Sequence, residues 1–175
     1  MDVLKKEENH TIEDIYALPD GERAELVDGK IYYMAPPSRT HQRFVKDFIY
    51  QIENYIRSNK GLCEVFPAPF AVFLDENTYV EPDISVICDI SKVDEKGCHG
   101  APDWIIEIVS PSSKSMDYLT KLFKYQAAGV REYWIVDTTK ELVTVYAFEC
   151  EIVEQFSFGE DVPVGIYNDF SITVQ

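Results

Sequence analysis

Three residues of this 175-residue chain break the rules of the segments that carry them, and their types could do chemistry together. Glu107 lies inside the run Trp-Ile-Ile-Glu-Ile-Val, sharing a strand face with Ile105 and Val109. An ionised carboxylate there is costly unless a metal ion, a cationic partner or an opening to water compensates it. Asp83 follows Pro82 in Val-Glu-Pro-Asp-Ile-Ser-Val-Ile, and a proline that removes a ladder hydrogen bond marks a strand start, an edge or a bulge. Alone, Asp83 reads as a turn residue and Glu107 as half of a structural salt bridge. Held on neighbouring strands, the two acids make an oxygen-rich site of the kind Mg²⁺ or Mn²⁺ prefers.

The third residue is a lysine on the helix expected from Lys114 to Ala128. At about 100° per residue, Met116, Leu119, Leu122, Phe123 and Ala127 fill one apolar arc, with Tyr118 and Tyr125 at its margin. Lys124 falls on the polar face, whereas Lys121 can turn toward a sheet by snorkelling. The ordinary alternative for Lys121 is a solvated pair with Asp117 one turn away.

These residues need elements to position them. Thr11 and Asp14 resemble a capping box before a short amphipathic helix. AELVDGKIYYM reads as a hairpin around Asp28-Gly29. Phe44, Val45, Phe48, Ile49, Ile52, Tyr55 and Ile56 recur at three and four residues, giving the longest helix, which Gly61 stops. CEVFPAPFAVFLD and TYVEPDISVIC read as two strands joined by a polar turn, and a loop from Asp89 to Pro102 leads to DWIIEIVS, a central strand. Ser110 and Ser112 shape the following turn. The helix, ending at Gly129, then crosses over to a parallel strand REYWIVD, and LVTVYAF, EIVEQFSF and a short terminal strand complete the order. With no repeat or linker, the expectation is a single α/β (α+β) domain over residues 1–175, a mixed sheet flanked by helices.

Composition bounds the function. With 46% hydrophobic residues the chain can bury a core, and no run approaches the roughly 20 apolar residues of a membrane span. The start, MDVLKKEENH, lacks a signal peptide's apolar region, so a cytoplasmic protein is expected. Cys63, Cys88, Cys98 and Cys150 form no CxxC pair and are read as free thiols; Cys98-His99 alone is too little for a zinc site. The net charge of -15 opposes nucleic-acid binding. It is uneven, however. Arg39, Arg43, Lys46, Arg57 and Lys60 meet only Asp47 and Glu53 between residues 37 and 60, and Lys114, Lys121, Lys124 and Arg131 meet only Asp117 between 112 and 131.

On AELVDGKIYYMAPPSRTHQ, EPDISVI and PDWIIEIVSPSSKSMDYLTKLFKYQAAGVREYWIVD, the sequence resembles the Uma-type family of bacterial restriction endonucleases, a branch of the PD-(D/E)xK nuclease superfamily. The resemblance implies a restriction-endonuclease-like fold and a Mg²⁺- or Mn²⁺-dependent endonuclease acting on nucleic acid, DNA above all. It makes Asp83 and Glu107 the metal ligands, joined by the backbone carbonyl of Ile108. The superfamily's lysine, expected two residues after the second acid, is Val109 here; the resemblance relocates it to Lys121. It also implies that Glu25 supplies a further carboxylate and that His41 orients a phosphate or water. Relatives that cut two strands as pairs make a homodimer possible. Two other readings stand beside this one: a non-catalytic scaffold that keeps the fold, which the acidic composition favours, and hydrolysis of a smaller phosphate ester.

Overall fold

The structure is a computed structural model that describes residues 9–109 and 117–175, with side chains from residue 120 in the second stretch. The expected turn residues Ser110 and Ser112, and Lys114 and Met116 of the expected helix, lie outside the described residues, as do the side chains of Asp117, Tyr118 and Leu119.

The chain opens with helix α1 (Ile12–Tyr16), where the Asp14 carboxylate accepts the Thr11 N–H at 2.8 Å, half of the expected capping box. Strands β1 (Ala24–Val27) and β2 (Lys30–Tyr33) form the expected hairpin. Asp28 and Gly29 both take positive φ, 51° and 74°, as a type I′ turn demands. Helix α2 (Arg39–Ser58) follows, its first turn capped by Ser38, whose hydroxyl accepts the His41 N–H at 3.2 Å. It buries Phe44, Val45, Phe48, Ile52 and Ile56, the periodic residues that define it.

Next come β3 (Glu64–Pro67), β4 (Val72–Asp75), β5 (Thr78–Val80) and β6 (Ile84–Ile87). The two long strands expected here are each divided. They run as one antiparallel pair whose inner half, β4–β5, belongs to one sheet and whose outer half, β3–β6, belongs to another. The breaks fall at Pro67-Ala68-Pro69 and Pro82, where the prolines cannot donate to a ladder, and the Ala68 N–H to Asp83 carbonyl bond (3.0 Å) holds the arms together there. The expected loop also holds a small hairpin, β7 (Val93–Asp94) and β8 (Gly97–His99).

Strand β9 (Trp104–Val109) is buried along its whole length. After α3 (Asp117–Ala128), which Gly129 closes at φ 93°, β10 (Glu132–Asp137) pairs with β9 in parallel, the expected crossover. Strands β11 (Leu142–Ala147) and β12 (Ile152–Ser157) extend that sheet, and β13 (Asp161–Pro163) pairs with β14 (Ser171–Thr173) as a separate ribbon.

In place of one mixed sheet there are two, ordered β2-β1-β5-β4-β8-β7 and β12-β11-β10-β9-β6-β3. On one face of the second sheet, Trp104, Ile106, Trp134 and Val136 pack against α2 and the ribbon. On the other, Ile105, Val109, Tyr133 and Ile135 pack with Tyr125 of α3 and with Val27, Val72 and Val80 of the first sheet. Each such side chain, taken fully out of water, contributes about 1.5–3 kcal/mol. The expected free thiols need one correction. Cys63 and Cys88 form a disulfide, because the β3–β6 register, with Glu64 facing Ile87, brings them together one step past the ladder. Cys98 and Cys150 are free.

Candidate active site

Strand register alone brings the first two acids together. Ile84 pairs with Ile106 and Ser85 with Ile105 in the antiparallel β6–β9 ladder, so the next step sets Asp83 opposite Glu107. Asp83 is fixed from both sides: its Oδ2 accepts the backbone N–H of Ile108 at 2.7 Å, and its Oδ1 lies 2.9 Å from Nε2 of His41, on the first turn of α2. Glu107, at the carboxyl-terminal end of β9, is buried, and its Oε1 accepts hydrogen bonds from Lys121 Nζ (3.0 Å) and the Tyr125 hydroxyl (2.9 Å).

Lys121 also reaches across to the other sheet, where its Nζ lies 2.8 Å from Oε2 of Glu25 on β1. Glu25 is held in turn by the backbone N–H of Glu81 at 3.0 Å. The five expected site residues thus fall into two bonded groups, Glu25–Lys121–Glu107 and His41–Asp83, which adjoin where the Ile108 N–H, next in chain to Glu107, donates to Asp83. Lys124, the lysine set aside, bonds Asp28 instead.

The orientation of α3 differs from the apolar arc expected of it. Phe123 is 64% exposed and Ala127 is exposed, whereas Lys121 and Tyr125 are buried, with Leu122 partly so. The face toward the sheets is therefore centred on a lysine and a tyrosine. Two buried carboxylates provide the attraction that an apolar count leaves out. Tyr125, through its bond to Glu107, is a candidate site residue that sequence reasoning missed; its signal was its place one turn after Lys121. Behind Glu81, Arg23 Nε (2.9 Å) and the Tyr79 hydroxyl (2.7 Å) hold the carboxylate of that residue, so its N–H is well placed for Glu25.

The electrostatics of these groups are those of a site short of positive charge. Burial pushes Glu107 up to about 7; Lys121 opposes the shift while Asp83 and Glu25 reinforce it. Burial alone would lower Lys121, but Glu107 and Glu25 outweigh it and raise the ammonium well above its ordinary range. His41 is balanced similarly: burial lowers it, the hydrogen bond and charge of Asp83 outweigh that, and the imidazole ends up raised. Burial and then Glu107 push the Tyr125 hydroxyl well above its usual value, so it remains a donor.

Among the described residues no three His, Cys, Asp or Glu side chains form a ready-made metal cage. The donor set still suits one kind of ion. Asp83 and Glu107 offer two hard oxygen ligands in a carboxylate-rich pocket, which matches a small divalent cation that keeps most of its water and binds one or two protein carboxylates. His99, next to Cys98, lies 3.1 Å from Asp94 and stacks on Phe73.

A crystal structure of a "putative nuclease belonging to DUF820" from Anabaena variabilis superposes with a TM-score of 0.71 at 24% identity, over 89% of each chain, so the fold is shared. No curated protein matches the sequence. The family model described as Uma2, "Putative restriction endonuclease", matches residues 12–175, a span that contains every member of the Glu25, His41, Asp83, Glu107 and Lys121 set; the chain belongs to that family.

Proposed function

We propose that residues 1–175 act as a single metal-dependent endonuclease domain that hydrolyses phosphodiester bonds in nucleic acid, with DNA the favoured substrate. One observation carries the reading: Asp83 and Glu107 face each other across the β6–β9 ladder, at a strand end, with Lys121 on Glu107. Asp83, Glu107 and the backbone carbonyl of Ile108 would hold Mg²⁺ or Mn²⁺. Such an ion, when bound, polarises a phosphoryl oxygen and acidifies a water. Lys121 supplies a fixed positive charge where negative charge develops on the phosphate, and Tyr125 keeps Glu107 oriented for it. The raised pKa of His41 favours its protonated form. Its Nδ1, buried and without a hydrogen-bond partner among the described residues, can then donate to a phosphate oxygen or a water. Glu25 anchors Lys121 and adds a carboxylate to the pocket.

A cytoplasmic enzyme working as a pair of copies is consistent with this reading. A second reading, a nuclease-fold binding protein without catalysis, is favoured by the net charge of -15 and by Lys121 already standing between Glu25 and Glu107. Calorimetric titration with Mn²⁺ separates them. The nuclease reading expects saturable binding that Asp83→Asn and Glu107→Gln each weaken at least tenfold; heat signals that ignore both substitutions would favour the scaffold.

A further inference from the structure

The described cations of the second basic stretch are consumed internally. Lys121 pairs with Glu25 and Glu107, Lys124 with Asp28, and Arg131 with Asp103 and Glu149. In the first stretch Arg57 pairs with Glu53, and the cations nearer the start of α2 behave differently. Arg39, Arg43 and Lys46 stand four and three residues apart on α2, which lines them up on one face, and all three are exposed. Among the described residues no carboxylate pairs with Arg39 or Arg43, although the chain carries 31 acidic residues. Lys46 makes only a surface contact, 3.5 Å from Asp47.

The place of Arg39 on the helix is also unfavourable for folding. The amino-terminal turn of a helix is its positive end, where acids stabilise and cations do not. The first turn of α2 has no acid and begins with Arg39. The Arg43 guanidinium lies 5.1 Å from the centre of the Phe44 ring, a cation–π contact that leaves it unpaired with any carboxylate among the described residues. The same turn carries His41, the residue on Asp83, so the row starts beside the active site and runs away from it along the outer face of the helix.

We propose that Arg39, Arg43 and Lys46 form a docking surface for the sugar–phosphate backbone of a nucleic-acid strand that continues past the active site. The row spans about 10 Å at a rise of ~1.5 Å per residue. That is about three axial rises of ~3.4 Å, a run of four phosphates, so each of the three cations can meet a different phosphate of one strand. Arginine at two of the three positions suits forked contacts to phosphate oxygens. This inference rests on the nuclease reading and names where that site takes hold of a long substrate.

Fluorescence anisotropy with labelled duplex DNA, single-stranded DNA and RNA, in EDTA and at several salt concentrations, tests it with wild type and the R39A/R43A/K46A variant. The expected result is at least a tenfold loss of affinity in the variant for the polymer that wild type binds best. The slope of log affinity against log salt should shrink by about 2–3. Hydrolysis of a small phosphodiester, bis(p-nitrophenyl) phosphate, should be unchanged by these three substitutions. Equal affinities and slopes in the two proteins would overturn the inference, and so would a wild type that binds no polymer. In either case, loss of the small-ester hydrolysis on Glu107→Gln would still uphold the nuclease reading, and its persistence would remove that reading too.

Discussion

Two glutamates are buried in neighbouring parallel strands of one sheet, Glu107 near the end of β9 and Glu132 at the start of β10, and burial raises both pKa values. Their partners separate them. Glu132 is satisfied by N–H donors: the Trp134 indole at 2.5 Å and the Ile166 backbone at 2.9 Å. It pins the chain before β14, close enough that a Cβ at Gly165 would stand 2.9 Å from its Oε2. Glu107 is surrounded by groups that can themselves titrate, namely Lys121 and Tyr125 in contact and Asp83 and Glu25 nearby. A buried acid among fixed donors is a staple. A buried acid among other ionisable groups at a strand end is a place for chemistry.

Substitution at the two positions should pull this difference apart. Glu132→Ala strands the Trp134 and Ile166 donors, and the expected cost is about 2–4 kcal/mol, read as a lower urea midpoint. Glu107→Gln keeps an acceptor for Tyr125 and relieves repulsion with Asp83 and Glu25, so its midpoint should equal or exceed that of wild type. A large loss of stability in Glu107→Gln would place both glutamates in the same structural class.

A smaller effect lies in pH. The folded-state pKa of Glu107 is raised from 4.5 to about 7, so between those values the native state binds a proton that the unfolded chain releases. Its contribution to stability is therefore complete below about 4.5 and is lost as pH rises through about 7. Thermal unfolding of wild type without metal should show that decline, and Glu107→Gln should flatten it. At pH 8, Mg²⁺ should restore the midpoint of wild type and leave that of Glu107→Gln unmoved, because an ion that binds only the folded state stabilises it by mass action.

Much of this arrangement is legible in sequence where local rules and tertiary structure agree. Asp28-Gly29 marks its hairpin, the spacing from Phe44 to Ile56 marks α2, and strand–helix–strand from Trp104 to Asp137 marks the parallel pair. Legibility fails where distant parts decide. Proline divides two strand runs between sheets, and sequence shows the prolines but not which sheet each half joins. The Cys63–Cys88 bond depends on the β3–β6 register. For α3, hydrophobic periodicity selects the wrong face, because carboxylates from β1 and β9 draw Lys121 inward while Phe123 is left in water. The candidate site is legible through its violations: an acid in an apolar strand and an acid after a proline announce themselves, whereas Tyr125, an aromatic on an amphipathic helix, violates nothing.

The central claim is that the Asp83–Glu107–Lys121 arrangement cleaves nucleic acid with the help of a divalent ion. The most direct test incubates supercoiled plasmid, a single-stranded oligonucleotide and an RNA with the purified protein, Mn²⁺ or Mg²⁺ and low salt, beside Glu107→Gln. The account expects cleavage of at least one polymer, abolished by EDTA and reduced by at least about 100-fold in Glu107→Gln, the scale of losing a group that acts on the reacting centre. Cleavage that survives Glu107→Gln or EDTA would contradict it.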